Sequence, residues 1–468
     1  MENSEKAALL RELPSVDELL GDKVFLEIER RSGRSGALRM ARAAVENVRS
    51  RIANSGNGFT ASEVMPAVLA SAAEMFQRET SSGVRSVINA TGVVIHTNLG
   101  RSPLSGKAMN AIVGRASRYC TLEYDLEAGR RGKRGARAEE LICELTGSQS
   151  AVIVNNCAAA AFLVLRVLTA GKEVIISRGE LVEIGGDFRI PDVLAESGAT
   201  MREVGTTNRT KLRDYEKAIS KNTGLILRVH PSNYRVIGFT ESPSNADLAA
   251  LAKSNGIPFF EDAGSGAIVD LSKFGLDDEP LISRSIADGV DVVAFSGDKL
   301  LGGVQAGFVV GSGELIERIR RHPLYRALRL DKLAYAAIEA TLGSYIRGTQ
   351  IDEVPALRMI AMAEGEIRRR AERVVYEVSL KVEEALEFEI VESESAIGGG
   401  AAPDAKPKTW LISVRREGKV AAEIEHALRN FEVPVIARIH NDRVVMDLRT
   451  VFEDEEEQVI NALAALAG

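Results

Sequence analysis

AVIVNNCAAAAFLVLRVL, residues 151–168, sets the reading of the fold. Four apolar residues, three of them β-branched, give way to Asn155-Asn156-Cys157, and a run with helical period follows. That is a buried strand feeding directly into a helix. Working outward, the same alternation recurs. Short apolar runs stand at EVIIS (173–177), GLILRV (224–229), IPFF (257–260), DVVAF (291–295) and GFVV (307–310). Helix-period segments, among them 158–168, 211–220 and 244–254, lie between most of them. Strands alternating with helices predict an α/β domain whose parallel sheet is covered by helices. Only eleven residues, without helical pattern, separate the last two runs. A parallel crossover needs more chain than that, so an antiparallel pair is expected there.

The flanks read differently. In residues 1–62, Ser15 with Glu18 three residues later has the form of a capping box. After a break at Ser32–Gly36, Leu38, Ala41, Val45, Val48 and Ile52 make one apolar stripe of a helix over about 37–53. Arg39, Arg42 and Arg49 share an arc beside it, and Asn54–Gly58 is expected to end the helix. Over 28–51, seven arginines stand against Glu29 and Glu46, a balance of 7 − 2 = +5, although the whole chain carries −7. A second basic patch, 127–137, sets five cations against Glu127, or +4. After about 340 come a long charged helical stretch (354–386), strands at 387–391, 410–414, 433–439 and 443–448, and a Gly/Ala/Pro loop at 398–407, expected as a surface connection. The expected organisation is a helical domain over 1–62, a tether over 63–87, an α/β core over 88–339 and an α+β domain over 340–468.

Composition excludes several classes. With 468 residues, 45% hydrophobic and 27% charged, the chain is globular in make-up. No uncharged apolar run reaches the roughly 20 residues of a membrane span. The charged N-terminus carries no secretory signal, and three cysteines without a CxxC motif imply neither a disulfide framework nor a cysteine zinc site. No His/Asp/Glu spacing suggests a metal. A cytoplasmic protein is expected.

Ligands of open α/β sheets bind beyond the carboxyl ends of the strands. Three such ends carry chemistry here: Asn155-Asn156-Cys157 opening a helix, Glu261-Asp262 after IPFF, and Ser296-Gly297-Asp298-Lys299 after DVVAF. A helix start binds anions. Together with a lysine and a carboxylate this set matches pyridoxal 5′-phosphate, which needs a lysine for its Schiff base, an acid on its ring nitrogen and a phosphate cradle. Lys299 and Asp262 take the first two roles. Ser296 joins Asn155, Asn156 and Cys157 as phosphate-side contacts. His230, ending a strand, either flanks the cofactor ring or packs as a strand-end histidine.

Longer blocks carry a resemblance. INATGVVIHTNLGRSPLS (88–105), LEYDLEAGRRGKRG (122–135), SRGELVEIGGDFRIPD (177–192), EVGTTNRT (203–210), VHPSNYRVIGFT (229–240), FSGDKLLGGVQAG (295–307) and HPLYRALRLDK (322–332) resemble bacterial selenocysteine synthases, the L-seryl-tRNA(Sec) selenium transferases. The likeness runs from LRELPSVDELL (10–20) to VPVIARIHNDRVVMDLR (433–449). Cys157 departs from it, standing where the family usually has a third Asn, as do Ala263 and Val304. The resemblance implies the aminotransferase-like (type I) fold with a small N-terminal helical domain and a C-terminal α+β domain. It implies conversion of seryl-tRNA(Sec) to selenocysteinyl-tRNA(Sec), by elimination of water to an aminoacrylyl intermediate and addition of selenium from selenophosphate. It assigns the cofactor lysine to Lys299, a part in activity to Asp298, and selenophosphate binding to Arg101, Arg326 and Arg329. It implies tRNA binding by the N-terminal domain and a homodecamer built from dimers, with Thr206, Thr207 and Tyr234 near subunit interfaces. A pyridoxal-phosphate lyase acting on a free amino acid or amino sugar is the alternative, since such an enzyme shares the core but has no need of the N-terminal module. A tRNA-binding protein without catalysis is opposed by Lys299 and Asp262.

Overall fold

The computed structural model describes residues 2–54, 60–80, 83–183, 189–231, 233–277, 279–382, 385–403 and 405–467. They fall into two compact units, Met1–Ser86 and Val87–Gly468.

The first unit is four helices: α1 (Glu2–Arg11), α2 (Val16–Leu20), α3 (Lys23–Asn54) and α4 (Ala61–Thr80). Ser15 caps α2, its hydroxyl accepting from the Glu18 N–H at 3.2 Å. The expected break inside 32–36 is real. Gly33 sits at φ 73, ψ 169 and kinks α3, a conformation a residue with a Cβ resists. The expected helix terminator at 54–58 lies, beyond Asn54, outside the described residues. Ala41, Val45, Val48 and Ile52 are buried as one stripe, with Leu38 at its margin. Their partners include Val64, Val68 and Ala72 of α4, each fully buried. The tether expected over 63–87 is therefore corrected: most of it is a helix that closes this small core. The basic arc is also more neutral than its sequence count. Arg39 pairs with Glu79 of α4, and Arg49 with Glu46.

In the second unit the alternating segment forms a seven-stranded sheet. Its strands are β1 (Ser150–Val154), β2 (Glu173–Ser177), β3 (Thr200–Val204), β4 (Thr223–Val229), β5 (Phe259–Gly264), β6 (Val292–Ser296) and β7 (Gly307–Gly311), in the order β1-β7-β6-β5-β4-β2-β3. All neighbours are parallel except β7, which runs antiparallel to both β1 and β6. Helices cover both faces, so β1, β5, β6 and β7 are buried nearly throughout and read as continuous apolar runs. The edge strand β3 has no counterpart in the sequence reading, because TMREV is mostly exposed, only Val204 being buried, and has no apolar run.

A second, antiparallel sheet follows: β8 (Leu386–Glu394), β9 (Lys408–Arg416), β10 (Arg438–His440) and β11 (Arg443–Asp447), in the order β8-β9-β11-β10. Helices Glu364–Ser379, Ala421–Arg429 and Glu456–Ala465 belong to this α+β part. The helical stretch read over 354–386 is interrupted. Helices Pro355–Ala361 and Glu364–Ser379 are parted by an extended Met362 and Ala363. The buried guanidinium of Arg449 donates to the Met359 and Met362 carbonyls at 2.8 and 2.9 Å, satisfying a helix end that would otherwise be unpaired. Ile88 and Asn89 pair in parallel with Val435 and Ile436 as a separate two-stranded sheet, and Thr91 bridges Asp447 of β11, so the segment leading to the site is tied to the second sheet. No described helix is long and apolar enough to cross a membrane.

Candidate active site

The site lies where β5 and β6 end. Phe259–Gly264 delivers Asp262, and the turn after Val292–Ser296 delivers Asp298 and Lys299. All three are buried, as is Ser296. The turn is clamped by the segment 96–102. Ser102 Oγ donates to the Lys299 carbonyl at 2.7 Å, the Ser102 N–H to the Asp298 carbonyl at 3.3 Å, and Arg101 to Asp298 Oδ2 at 2.8 Å. Arg101 has φ 63, a left-handed backbone that a non-glycine residue keeps only where its surroundings impose it. Here those surroundings are the carboxylate of Asp298 and the Arg101 N–H bond to the His96 carbonyl.

Two glycines allow the strands to approach the site. A Cβ on Gly307 of β7 would meet the Asn156 carbonyl at 2.0 Å, and one on Gly266 the Ser296 carbonyl at 2.4 Å. The chain can therefore bring the Asn156–Cys157 turn, the Asp262 strand end and the Lys299 turn into one cluster.

Inside it, Cys157 Sγ donates to Asp262 Oδ1 at 3.5 Å. Burial pushes the Asp262 carboxyl up to about 6, against the opposing pull of the Lys299 charge. Burial, with the Asp262 charge added, pushes the Cys157 thiol well up. The His230 N–H donates to the Asp262 carbonyl at 2.9 Å, while its buried ring Nδ1 has no partner among the described residues and burial lowers its affinity for a proton. Lys299 Nζ donates to the Gly400 carbonyl at 3.3 Å.

Asn156 caps the helix Cys157–Thr169, its Oδ1 accepting from the Ala159 N–H at 2.8 Å. Asn155 is exposed, and its N–H is committed to the Leu328 carbonyl at 3.0 Å. That bond brings the segment carrying Arg329 beside Val154. Arg329 pairs with Glu123 at 3.4 Å, and Glu123 also holds Arg131 and Arg134. Arg326, on the helix Pro323–Leu328, is exposed. Of the three arginines, then, Arg101 is tied to the lysine turn, Arg329 to the end of β1, and Arg326 faces outward. A cavity of about 710 Å³ opens beside His230, lined among others by Glu180, Arg228, Thr207 and Tyr234. Burial raises Glu180 to about 7 there, although Arg228 lies 3.8 Å away. Tyr234 donates to the Gly179 carbonyl and Thr206 Oγ1 to the Arg209 carbonyl at 3.0 Å, so both take part in loop hydrogen bonding.

Sequence reading missed three contributors. Ser102 locks the lysine turn through its hydroxyl. Ser265 is fully buried next to Gly264, with an unpartnered Oγ. The third is the 398–407 loop, expected at the surface. Ala401, Ala402 and Ala405 are buried, and Gly400 meets Lys299. The glycines are the available signal: a Cβ on Gly399 would meet the Ile95 carbonyl at 2.6 Å, so this backbone passes where side chains do not fit.

The donor set fits pyridoxal 5′-phosphate. Among the described residues the buried Asp262 carboxyl has no cation bonded to it and would be relieved by a protonated ring nitrogen, Lys299 is held by one neutral acceptor, and a helix start faces the same cluster. The fold itself is shared with a solved D-glucosaminate-6-phosphate ammonia-lyase. That structure superposes with a TM-score of 0.58 at 22% identity, covering 84% of this chain and 98% of that one. Residues 87–452 match the family model described as L-seryl-tRNA selenium transferase, and residues 10–49 the one described as selenocysteine synthase N terminal. The L-seryl-tRNA(Sec) selenium transferase of Clostridium perfringens is 45% identical over 97% of this chain and 98% of its own. That of Geobacter sulfurreducens is 43% identical over 100% and 97%. With both the core and the N-terminal helices matched along their length, the chain belongs to the L-seryl-tRNA(Sec) selenium transferase family.

Proposed function

We propose that this chain converts L-seryl-tRNA(Sec) to L-selenocysteinyl-tRNA(Sec) at the Lys299 cluster, with pyridoxal 5′-phosphate as cofactor and selenophosphate as selenium donor. The observation that carries the reading is the burial of Lys299 and Asp262 at adjacent strand ends, in a chain whose full-length relatives bear that activity in their names. Bound there, the cofactor supplies an electron sink that makes the α-proton of the attached serine acidic. Lys299 anchors it and, once free, takes the α-proton. Asp262 keeps the ring nitrogen protonated. The start of the helix Cys157–Thr169, with Asn155, Asn156, Cys157 and Ser296, receives the phosphate. His230 flanks the ring.

Asp298 holds Arg101 at the edge of the lysine turn. Arg101, Arg326 and Arg329 supply guanidinium forks suited to a phosphate-like oxyanion. The serine loses its hydroxyl as water, selenium from selenophosphate is added at the same carbon, and hydrolysis of the Se–P bond releases phosphate. The N-terminal helices bind the tRNA. A homodecamer built from five dimers, with Thr206, Thr207 and Tyr234 near its interfaces, is part of the same proposal. The lyase alternative is not favoured, because the match extends through residues 10–49, a region a small-substrate lyase does not need.

The deciding experiment mixes the purified protein with seryl-tRNA(Sec) and selenophosphate and measures selenium esterified to tRNA. No selenium on the tRNA, together with turnover of a free amino acid or amino sugar, would replace this reading with the lyase.

A further inference from the structure

Glu279 stands outside every role assigned above, yet it reaches into the site. One carboxylate oxygen accepts from the Ala402 N–H, and the other is buried without a partner among the described residues. It lines a cavity of about 440 Å³ together with His230 and Ala402, and its charge acts on the His230 ring. The loop it grips is unusual. Gly398, Gly399, Gly400 and Ala402 all have positive φ, Ala402 at 43°. An alanine keeps that conformation only where neighbours impose it.

The loop has two pins. At its start, the Val94 and Ile95 N–H groups donate to the Ala396 and Ile397 carbonyls at 3.0 and 2.7 Å. At its far end stands the Glu279–Ala402 bond. Between them, the Gly400 carbonyl receives Lys299 Nζ at 3.3 Å.

That carbonyl decides where the lysine rests. The Lys299 charge acts on the Asp262 carboxyl, so an ion pair between them is the competing arrangement. A carboxylate attracts the ammonium with a full charge where a carbonyl offers only a dipole, so a lysine released from the loop would be drawn to the acid. Such a pair would occupy both the group that anchors the cofactor and the group that meets its ring nitrogen.

We infer that Glu279 is a positioning residue: by pinning Ala402 it fixes the Gly398–Ala402 loop, so that the Gly400 carbonyl parks the free Lys299 amine away from Asp262. This rests on the cofactor reading above. It requires an acceptor at the end of a side chain of glutamate length. Charge is not required.

The test follows cofactor binding without tRNA. Protein stripped of cofactor is mixed with pyridoxal 5′-phosphate, and the return of the visible absorption of the lysine-linked cofactor is timed. Thermal melts of the same samples check folding. Glu279→Gln keeps the reach and an acceptor oxygen, so it should match the wild type. Glu279→Asp keeps the charge but is one methylene short, so it should be slower by roughly tenfold, about the factor one hydrogen bond carries. Glu279→Ala should resemble Glu279→Asp. The final absorbance should be equal in all of them. Wild-type rates in Glu279→Asp, or a Glu279→Gln protein as slow as Glu279→Asp, overturns the inference. If Glu279→Ala does not fold, the Asp and Gln pair decides alone. A wild type that develops no such absorption fails the cofactor reading, and this inference falls with it.

Discussion

Replacing Asp262 by Asn should stabilise the protein without cofactor while weakening its hold on cofactor. The carboxyl is buried, and its pKa rises from an ordinary 3.8 to about 6. The unfolded chain therefore releases this proton first as pH rises. Below pH 4 the group carries no penalty; between about 4 and 6 the penalty grows; above 6 it is fully present. Two pH units at 1.36 kcal/mol each make about 3 kcal/mol at pH 8, and about half of that at pH 5. For a unit of roughly 380 residues, an unfolding entropy near 2.1 cal/mol/K per residue converts about 3 kcal/mol into ~4 °C.

The assay is a melt of stripped wild type and Asp262→Asn between pH 5 and 8, read as the difference so that other titrating groups, Glu180 among them, cancel. The variant should melt ~4 °C higher at pH 8 and about 2 °C higher at pH 5. Added pyridoxal 5′-phosphate should raise the wild type more than the variant, because only the carboxylate gains a charged partner. A gain independent of pH would show that the buried anion is not its source. A variant less stable than the wild type at pH 8 would refute the cost itself.

Lys299→Ala should abolish turnover and the visible absorption of the linked cofactor; cofactor that stays attached to the variant through borohydride reduction and gel filtration would move the anchor to another residue. Arg329→Ala should spare exchange of the serine α-proton into D2O and impair selenium addition to the tRNA, both followed on one sample; loss of exchange would give that arginine a different task. Deleting 1–86 should leave a soluble protein that carries cofactor and has lost tight tRNA binding in a gel shift. Deleting only 1–62 strands most of α4, whose Val64 and Val68 are fully buried against α3 and whose exposure costs about 1.5–3 kcal/mol each. That shorter deletion should self-associate in gel filtration, and identical behaviour of the two truncations would contradict the placement of α4 in the first unit.

The features that could be read from sequence are those fixed by neighbours along the chain. The runs at 151–154, 173–177 and 224–229 fall within observed strands, and the eleven-residue gap did force β7 antiparallel. The stripe Ala41–Val45–Val48–Ile52 is buried as its spacing requires. The misses are long-range. α4 looked like a tether because, in isolation, ASEVMPAVLASAAEMFQRET has a Pro66 inside it and follows a glycine break; the surface that makes it a helix belongs to α3. Arg39 read as a free cation because Glu79 lies forty residues away.

The 398–407 loop shows why composition alone misleads at a site. A run of glycines and alanines says that the backbone needs room or freedom, and solvent usually provides both. Here the need is close approach. A Cβ on Gly398 would meet Val93 Cγ1 at 2.4 Å, and one on Gly399 the Ile95 carbonyl at 2.6 Å. Those neighbours lie some three hundred residues upstream, in the same stretch that leads to Arg101 and Ser102. The segment 93–102 thus touches the lysine turn from one side and holds the glycine loop on the other. Lys299 meets a carbonyl at 3.3 Å because the glycine stretch is slim enough for its backbone to pass this close, and the upstream stretch holds it there.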